Sequence, residues 1–359
     1  MLFEFGVYVK KILVAMSGGV DSSTVAALLK SQGHSVCGIT MKLMETEGIC
    51  SEESRSCCGF DAARDAKVVA DILAIPHYTV NAVDAFEKSV VQNFVDEYTS
   101  GRTPNPCVRC NYHLKFDFLM KKARQLGYDY LATGHYAVIE NGQLCRGKDA
   151  FKDQSYFLYP VFASSFDRIM FPLGSYNKDE VRELAAGFKL PIAAKKESQD
   201  ICFIPDGDYT GFLKSRGVHD FSDGPILDVE GNQIGTHTGV HNYTVGQRKG
   251  LGALGQRMYV KEIRGEVNAL VAATEEQLYS DKITVRDILC GDRRPEKGEK
   301  YLVQIRYRSR PVLARVDEFD GSVMTLSFDV PVKAAAPGQS AVLYDEDRVI
   351  AGGVICEAR

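Results

Sequence analysis

Residues 11–23 of the chain are KILVAMSGGVDSS, and this stretch decides the fold. The compact apolar run at residues 11–16 is typical of a buried parallel strand, which is covered on both faces. Residues 22–30 are predicted to form a helix that ends near Gly33, because glycine accepts the left-handed conformation that closes many helices. A strand, a small-residue turn and a helix in this order predict the first unit of a doubly wound α/β sheet.

The alternation of strands and helices continues through the first part of the chain. Further strands are predicted at residues 36–41, 77–80 and 130–132, and further helices at residues 61–73, 86–98 and 116–126. This pattern is typical of an α/β domain built on a doubly wound parallel sheet.

The texture of the sequence changes after residue 205, where glycine becomes frequent and helical periodicity fades. From residue 282 onward, short segments alternate apolar and polar residues, which predicts a small antiparallel β-barrel. The predicted division is an α/β domain at residues 1–208, a small central domain at 209–280 and a C-terminal β-barrel at 281–359.

The composition is that of an ordinary globular protein, with 45% hydrophobic and 25% charged residues over 359 positions. This length exceeds what one hydrophobic core usually serves, so two or three domains are expected. The formal net charge of −4 excludes a wholly basic nucleic-acid-binding protein, but a local basic face could still bind RNA. Since no run of about 18 apolar residues occurs, no membrane span is predicted. A monomer in the cytoplasm is expected.

The loop after the first strand, Ser17 to Ser23, has the features of an anion-binding turn. Its two glycines let backbone N–H groups approach a phosphate, and the following helix start adds free N–H donors. The loop lacks the Gly-Lys-Ser/Thr ending of the common mononucleotide loop. It resembles instead the SGGxDS loop of the ATP pyrophosphatase (PP-loop) superfamily, which implies ATP as substrate and Asp21 as a ligand of Mg²⁺. The alternative is a glycine-rich turn with a capping aspartate.

The chain has ten cysteines, several of them clustered. Cys107 and Cys110 form a CxxC pair, and Cys202 stands in a separate polar segment. Arg109 and Lys115 flank Cys110, and local positive charge lowers the pKa of a thiol. A CxxC pair alone leaves a redox pair, half of a zinc site and cluster ligation open, although no second CxxC is present. The lone cysteines are predicted to be buried packing residues; they are Cys37, Cys145, Cys290 and Cys356.

Seven short motifs, taken in order, resemble the bacterial tRNA-specific 2-thiouridylase family, and they extend over nearly the whole chain. They are MSGGVDSS (16–23), TPNPCVRCN (103–111), TGHYA (133–137), KDQSYFL (152–158), ESQDICFI (197–204), TVGQRKGLG (244–252) and IRYR (305–308). One motif alone indicates only the superfamily, whereas the ordered set is specific.

The resemblance implies a substrate, a reaction and a set of site residues. The substrate is the wobble uridine of the tRNAs for lysine, glutamate and glutamine, which ATP activates by adenylation at O2. Cys202 carries a persulfide, Cys110 is the nucleophile, and a disulfide forms between them. A sulfur relay protein or a cysteine desulfurase supplies the sulfur. The implied ATP-binding residues are Ala15, Met16, Ser17, Gly18, Gly19, Val20, Asp21, Ser22, Met41 and Gly134. The implied RNA-binding residues are Asn105, Pro106, Cys107, His135, Lys152, Asp153, Gln154, Arg306, Tyr307 and Gln339.

Two basic stretches are suited to such an RNA substrate. Residues 101–124 contain six Lys or Arg and one acidic residue, and residues 301–316 contain four Arg and no acid. In a strand, the side chains of Arg306, Arg308 and Arg310 would share one face and could contact phosphates. A solvated charged face is the alternative interpretation.

The chain departs from the family at Cys107, where many members have an aspartate. Cys107, Cys110 and Cys202 together could supply three thiolates to a [4Fe–4S] cluster, a hypothesis that rests on the cysteine count. The segment from Cys50 to Cys58 is predicted to be a polar surface loop, with a role in capping the site or receiving sulfur as the alternative. Two other functions stay open, an amide-forming synthetase of the same superfamily and a non-catalytic RNA-binding module.

Overall fold

The computed structural model describes residues 9–45, 60–163, 166–195, 201–204, 207–218 and 222–359. The chain divides into two compact units, one made of residues 1–89 and 107–207 and the other of residues 90–106 and 208–359. The Cys50–Cys58 segment lies outside the described residues. Within the described part of the chain, no helix has the length and apolar character needed to cross a bilayer.

The first unit is built on a parallel sheet. Its strands, with a separate hairpin formed by the fifth and sixth, are β1 (Lys11–Ala15), β2 (Ser35–Lys42), β3 (His77–Asn81), β4 (Tyr130–Ala132), β5 (Ala137–Glu140), β6 (Gln143–Arg146) and β7 (Ile169–Met170). The sheet order is β3-β2-β1-β4-β7, and every neighbouring pair is parallel. Ile12, Leu13 and Val14 of β1 are fully buried, as expected for a central strand covered on both faces. The predicted doubly wound sheet is confirmed.

The helices are α1 (Val20–Ser31), α2 (Phe60–Ile72), α3 (Val83–Phe86), α4 (Gln92–Thr99), α5 (Pro106–Cys110), α6 (Leu119–Gln125), α7 (Lys178–Gly187) and α8 (Tyr209–Ser215). Two π-helical stretches, Glu87–Val91 and Asn111–Phe118, join α3 to α4 and α5 to α6. The helix predicted at residues 116–126 therefore begins ten residues earlier, at Pro106. Proline is tolerated there because the first turn of a helix has no partner for its N–H groups. Both cysteines of the CxxC pair lie on α5.

The second unit contains a small sheet and a barrel. The small sheet has the order β10-β11-β8-β9, with β8 (Gly224–Leu227), β9 (Gln233–His237), β10 (Tyr259–Arg264) and β11 (Ala269–Ala273). The barrel strands are β12 (Tyr279–Cys290), β13 (Lys300–Gln304), β14 (Val312–Phe319), β15 (Val323–Lys333), β16 (Ser340–Asp345) and β17 (Arg348–Ala358). They run antiparallel in the order β12-β15-β14-β13-β16-β17, and pairing of β12 with β17 closes the barrel. The predicted C-terminal barrel is confirmed.

The prediction that Arg306, Arg308 and Arg310 share one face of a strand is wrong. Strand β13 ends at Gln304, whose buried side-chain amide donates to the carbonyl oxygens of Arg306 (3.1 Å) and Tyr307 (2.6 Å). The Ser309 N–H donates to the Arg306 carbonyl at 3.0 Å, so Arg306 and Arg308 lie in a turn, and Arg310 follows it outside any strand. The side-chain alternation of a strand does not apply to them.

The prediction for the lone cysteines holds only in part. Cys37 is buried, but Cys356 is exposed on the last barrel strand, and Cys145 and Cys290 are half-buried.

Candidate active site

The loop between β1 and α1 is held by its own serines. The Ser17 N–H donates to Ser22 Oγ at 3.1 Å, and the two serine hydroxyls are 3.3 Å apart. Gly18 has a φ of +67°, and a Cβ there would be 2.9 Å from the Ala62 carbonyl carbon. Only glycine meets both conditions without strain. The loop leads directly into the start of α1, whose first backbone N–H groups can donate to an anion.

Strand β4 brings a second loop to the same place. Strand order reverses between β1 and β4, and ligands of open α/β sheets bind at such a switch point. A Cβ on Gly134 would be 2.8 Å from the Ser22 backbone nitrogen, so the two loops lie in close contact. The structure thus brings together Ser22 and Gly134, which are 112 residues apart by number (134 − 22) and were both predicted to bind ATP.

The Asp21 carboxylate has two partners that sequence reasoning missed. The Lys178 ammonium and the Tyr136 hydroxyl both donate to Asp21 Oδ1 at 2.7 Å. Lys178 is the first residue of α7, where Asn177 and Glu180 form a capping box. Its side chain is 11% exposed, against 31% for Asp21. The predicted magnesium ligand is therefore part of a charged cluster at the nucleotide loop.

A second lysine contacts the loop from the chain segment that precedes Cys202. The Lys195 ammonium donates to the Gly18 carbonyl at 3.0 Å and to Asp65 Oδ2 at 2.7 Å. Asp65 lies on α2, so one side chain joins the loop, α2 and the segment before Cys202. The only sequence signal was the basic pair Lys195-Lys196 ahead of the ESQDICFI motif.

The two cysteine segments rest on one helical stretch. Cys107 is exposed and Cys110 half-buried on α5, and Cys202 is half-buried. The Arg109 guanidinium donates through Nε to the Ser89 carbonyl at 3.3 Å. The Phe203 ring packs edge-on against Phe86, with 5.5 Å between ring centroids. Neighbours of both cysteines thus contact residues 86–89, a link that no sequence pattern indicated.

The described residues contain no group of three or more His, Cys, Asp or Glu side chains that could hold a metal ion. An iron–sulfur cluster on Cys107, Cys110 and Cys202 stays a prediction.

His135, predicted to contact RNA, is buried between two polar partners. Its Nδ1 lies 2.7 Å from the Thr133 hydroxyl, and its Nε2 lies 3.0 Å from the Lys115 ammonium. Burial, and then the charge of Lys115, lower the pKa of His135 well below its ordinary value. The ring is therefore neutral at neutral pH and accepts a hydrogen bond from Lys115. An RNA contact through this side chain stays a prediction.

Polar side chains of residues 152–154, the KDQ segment, form hydrogen bonds with residues near His135 in the chain and with strand β6. The Asp153 carboxylate, 8% exposed, accepts from Arg146, from the Ser155 hydroxyl and from the backbone N–H groups of Gly147 and Ser155. Gln154 Oε1 accepts from the Tyr136 N–H at 3.0 Å. The predicted RNA contacts of this segment stay predictions, and in the protein itself Asp153 holds a turn.

In the second unit, two of the predicted RNA-binding residues bind backbone carbonyls. Arg306 Nη2 donates to the carbonyl oxygens of Val245 (2.8 Å) and Ala334 (2.7 Å). Gln339 Nε2 donates to the carbonyl oxygens of Thr103 (3.1 Å) and Pro104 (3.0 Å). Thr103 and Pro104 directly precede the predicted base-facing residues Asn105 and Pro106.

Three family models match the chain. Their descriptions are "tRNA methyl transferase HUP domain" at residues 10–206, "tRNA methyl transferase PRC-barrel domain" at 210–274 and "Aminomethyltransferase beta-barrel domain" at 280–355. The tRNA-specific 2-thiouridylase MnmA of Caldicellulosiruptor saccharolyticus is 44% identical, covering 97% of this chain and 99% of that protein. The protein of the same name from Carboxydothermus hydrogenoformans is 45% identical, with coverages of 96% and 97%. This chain belongs to the tRNA-specific 2-thiouridylase family.

Membership of the 2-thiouridylase family confirms the resemblance drawn from the seven motifs. Solved structures are less similar. A 4-thiouridine synthetase–RNA complex with bound ATP matches 58% of this chain and 50% of that chain, at 18% identity and a TM-score of 0.38. That value is too low to bear on function. In this 2-thiouridylase-family chain the positions of the predicted site residues are defined, and the role of each one stays a prediction.

Proposed function

We propose that this chain converts the wobble uridine of tRNA to 2-thiouridine, with ATP as the activating substrate and a cysteine persulfide as the sulfur source. The observation that carries the proposal is the 44% identity, over 97% of the chain, to a protein named tRNA-specific 2-thiouridylase. The geometry adds support, because one unit holds an anion-binding loop and two cysteine segments that contact a shared helical stretch. The proposed substrates are the tRNAs for lysine, glutamate and glutamine.

The nucleotide loop supplies groups that suit Mg-ATP. The N–H groups at the start of α1 favour a phosphate, and Lys178 adds a positive charge beside them. Asp21 offers the oxygen ligand that Mg²⁺ prefers. The proposed ATP-binding residues are Ala15, Met16, Ser17, Gly18, Gly19, Val20, Asp21, Ser22, Met41 and Gly134. Mg²⁺ would offset the charge that develops on pyrophosphate as it leaves.

Oxygen on C2 of uracil is a poor leaving group, so the base has to be activated first. In the proposed reaction O2 attacks the α-phosphate of ATP, and pyrophosphate leaves. The terminal sulfur of a persulfide on Cys202 then attacks C2, and AMP leaves with the oxygen. The Cys110 thiolate attacks Cys202 Sγ, so the transferred sulfur stays on C2 and a Cys110–Cys202 disulfide forms. An external thiol reduces this disulfide.

The proposal assigns the remaining predicted residues to the RNA. Cys107, exposed at the start of α5, would face the target base together with Asn105 and Pro106. The further proposed contacts are His135, Lys152, Asp153, Gln154, Arg306, Tyr307 and Gln339. The proposed domains are residues 1–208, 209–280 and 281–359, the last binding tRNA. A sulfur relay protein or a cysteine desulfurase is the proposed partner of a monomeric, cytoplasmic enzyme.

Methylation of tRNA is a second candidate, because two matching family models are described as tRNA methyl transferase domains. That reaction requires neither ATP cleavage nor paired cysteines. An amide-forming ATP pyrophosphatase would use the same loop, and it too would survive loss of Cys110 and Cys202. Product mass and the cysteine variants therefore separate the three reactions.

The test incubates the full chain with unmodified tRNA, Mg-ATP, cysteine and a cysteine desulfurase, and analyses digested tRNA by mass spectrometry. We expect 2-thiouridine from the wild type and from Cys356→Ser, an exposed barrel cysteine that serves as the control. We expect none from Cys110→Ser or Cys202→Ser. Methyluridine, or no thiolation by the wild type, would overturn the proposed function. Normal product from either active-site variant would overturn that cysteine's role.

A further inference from the structure

A turn of the barrel is bonded to the segment that leads into the cysteine helix. The Thr103 N–H donates to the Pro337 carbonyl at 2.8 Å, and Gln339 Nε2 donates to the Thr103 and Pro104 carbonyls at 3.1 and 3.0 Å. Gly338 lies between these bonds, and a Cβ on it would be 2.6 Å from the Thr103 oxygen. Three hydrogen bonds and one close backbone contact thus join segments that are 236 residues apart.

The turn itself is fixed by the barrel. The Gly338 N–H donates to the Ile355 carbonyl at 2.8 Å, and the Ile355 N–H donates to the Gln339 carbonyl at 2.8 Å. Ile355 is a fully buried residue of β17. By contrast, residues 102–105 belong to no helix or strand. If the two segments are forced apart, residues 103–104 move, since a segment outside regular structure yields at lower cost than a closed barrel.

We propose that Gln339 and Gly338 position the start of α5, and with it the Cys110 thiol, before any RNA is bound. Helix α5 begins at Pro106, two residues after Pro104, and ends at Cys110. The fixed φ angles of the two prolines leave little slack between the bonded carbonyls and the helix. The inference rests on the proposed role of Cys110 as nucleophile. It makes Gly338 a positioning residue that acts through the chain, and it gives Gln339 the same positioning role in addition to its proposed RNA contact.

Two variants remove the link by different means. Gln339→Glu keeps the size of the side chain but replaces the donating amide by a carboxylate, which repels both carbonyl oxygens. Gly338→Ala keeps Gln339 intact and places a methyl group against Thr103. Gly321→Ala is the matched control, because Gly321 has a similar φ of +99° in a barrel hairpin and its nearest neighbour would be 3.9 Å away. Thermal unfolding identifies a variant that does not fold, and the other variant then carries the test.

The first measurement uses protein without tRNA or ATP and follows the alkylation rate of Cys110 by iodoacetamide, using peptide mass spectrometry. The second is single-turnover thiolation with the tRNA affinity measured separately. A displacement of about 1 Å can lower a rate by about a hundredfold, so we expect at least about a tenfold loss of the single-turnover rate in both variants. We also expect a changed alkylation rate in both variants. For Gly338→Ala, which has no proposed RNA contact, the tRNA affinity should stay within about twofold of the wild type because the phosphate contacts persist.

The alkylation measurement is independent of the proposed function, since it needs no thiolation. If the wild type does not thiolate tRNA, an altered Cys110 alkylation rate in both variants still supports the positional link. Unchanged alkylation in both variants would overturn the inference. The inference would also be overturned if only Gln339→Glu lost thiolation activity and that loss came entirely from weaker tRNA binding. That result is expected of an RNA contact and not of a positioning residue.

Discussion

Replacing Gly18 by alanine tests the geometry of the nucleotide loop, and Gly33 provides a matched comparison. Both glycines flank α1 and both have positive φ angles, +67° for Gly18 and +84° for Gly33. A methyl group on Gly33 would have no neighbour within 4 Å among the described residues. On Gly18 it would be 2.9 Å from the Ala62 carbonyl carbon and Cα. Both variants therefore place alanine at a positive φ angle, but only Gly18→Ala also brings a methyl group against Ala62.

The expected magnitudes follow from these two terms. A non-glycine residue in the left-handed region costs about 1–2 kcal/mol, partly offset by about 0.4–1 kcal/mol of lost freedom in the unfolded chain. Gly33→Ala should therefore lower the free energy of unfolding by at most about 1.6 kcal/mol. Gly18→Ala should cost a further 1–3 kcal/mol or so, roughly the cost of overpacking a well-filled site. The Ala62 oxygen belongs to a helix backbone and cannot rotate away.

Hydrogen exchange of the β1 amides measures this difference within the full-length chain. Since about 1.4 kcal/mol corresponds to a factor of ten, exchange in Gly18→Ala should exceed that in Gly33→Ala by about fivefold to a hundredfold. Gly18→Ala should also lose ATP-dependent thiolation, which Gly33→Ala should retain. Equal exchange in the two variants would refute the claim that Gly18 is required by contact with Ala62.

Three further predictions use other contacts. Lys178→Met leaves the partly buried Asp21 carboxylate without its cation, and hydrogen exchange should show that α1 is destabilised by about 2 kcal/mol. Adding Asp21→Asn should restore part of that loss. A double variant that is no more stable than Lys178→Met would contradict the pairing. Asn177→Ala removes the capping box of α7 and should cost about 1 kcal/mol, read from exchange of the α7 amides against an unchanged α1. His237 is fully buried and accepts the Gly239 N–H, and burial lowers its pKa from 6.5. The native ring stays neutral while the unfolded ring takes up a proton, so stability should fall as pH drops below 6.5, by at most about 1.4 kcal/mol per pH unit. Denaturant unfolding at several pH values should show this slope, and a His237→Gln variant with the same slope would contradict it.

The sequence predicts correctly those parts of the fold that are specified by residues close together in the chain. Strand β1 is a fully apolar run, and its burial on both faces is what such a run predicts. The turn at residues 17–19 is specified by its glycines and the helix that follows. The barrel strands show alternating burial, as in β14 and β15, and the alternation of apolar and polar residues in the sequence predicts it.

The start of the cysteine helix could not be predicted in the same way. Proline and cysteine favour helices weakly, so the only local signal for residues 106–110 is the Asn105-Pro106 pair, which is compatible with a helix start. Tertiary contacts supply the missing stability. The buried Asn111 side chain donates to the Phe157 carbonyl at 2.8 Å, and Arg109 donates to the Ser89 carbonyl. These partners lie 46 and 20 residues away in the chain, beyond the range of any local pattern.

The contacts of the charged cluster at the nucleotide loop were even harder to predict from local sequence patterns. Lys178 pairs with Asp21 across 157 residues, and Lys195 bonds to Gly18 across 177. Each lysine stands in an ordinary polar context, where a solvated side chain is the usual outcome. Only the parallel sheet, which brings the ends of several strands to one edge, makes these partners neighbours.

Two of the residues predicted to bind RNA already form hydrogen bonds within the protein, and an RNA contact would have to compete with those bonds. The amide of Gln339 and one guanidinium nitrogen of Arg306 each already donate to two backbone carbonyls within the protein. Moving either group to a phosphate would leave those carbonyls without that donor, at a cost of about 1–3 kcal/mol for each one that stays buried. A direct RNA contact by the same donor therefore adds less affinity than the new hydrogen bond alone would suggest. Loss of activity on substituting Gln339 or Arg306 consequently does not by itself demonstrate RNA contact, because the same change releases residues 103–104 or the Val245 and Ala334 carbonyls. Affinity for tRNA and the reactivity of Cys110 in the absence of tRNA have to be measured side by side to separate the two roles.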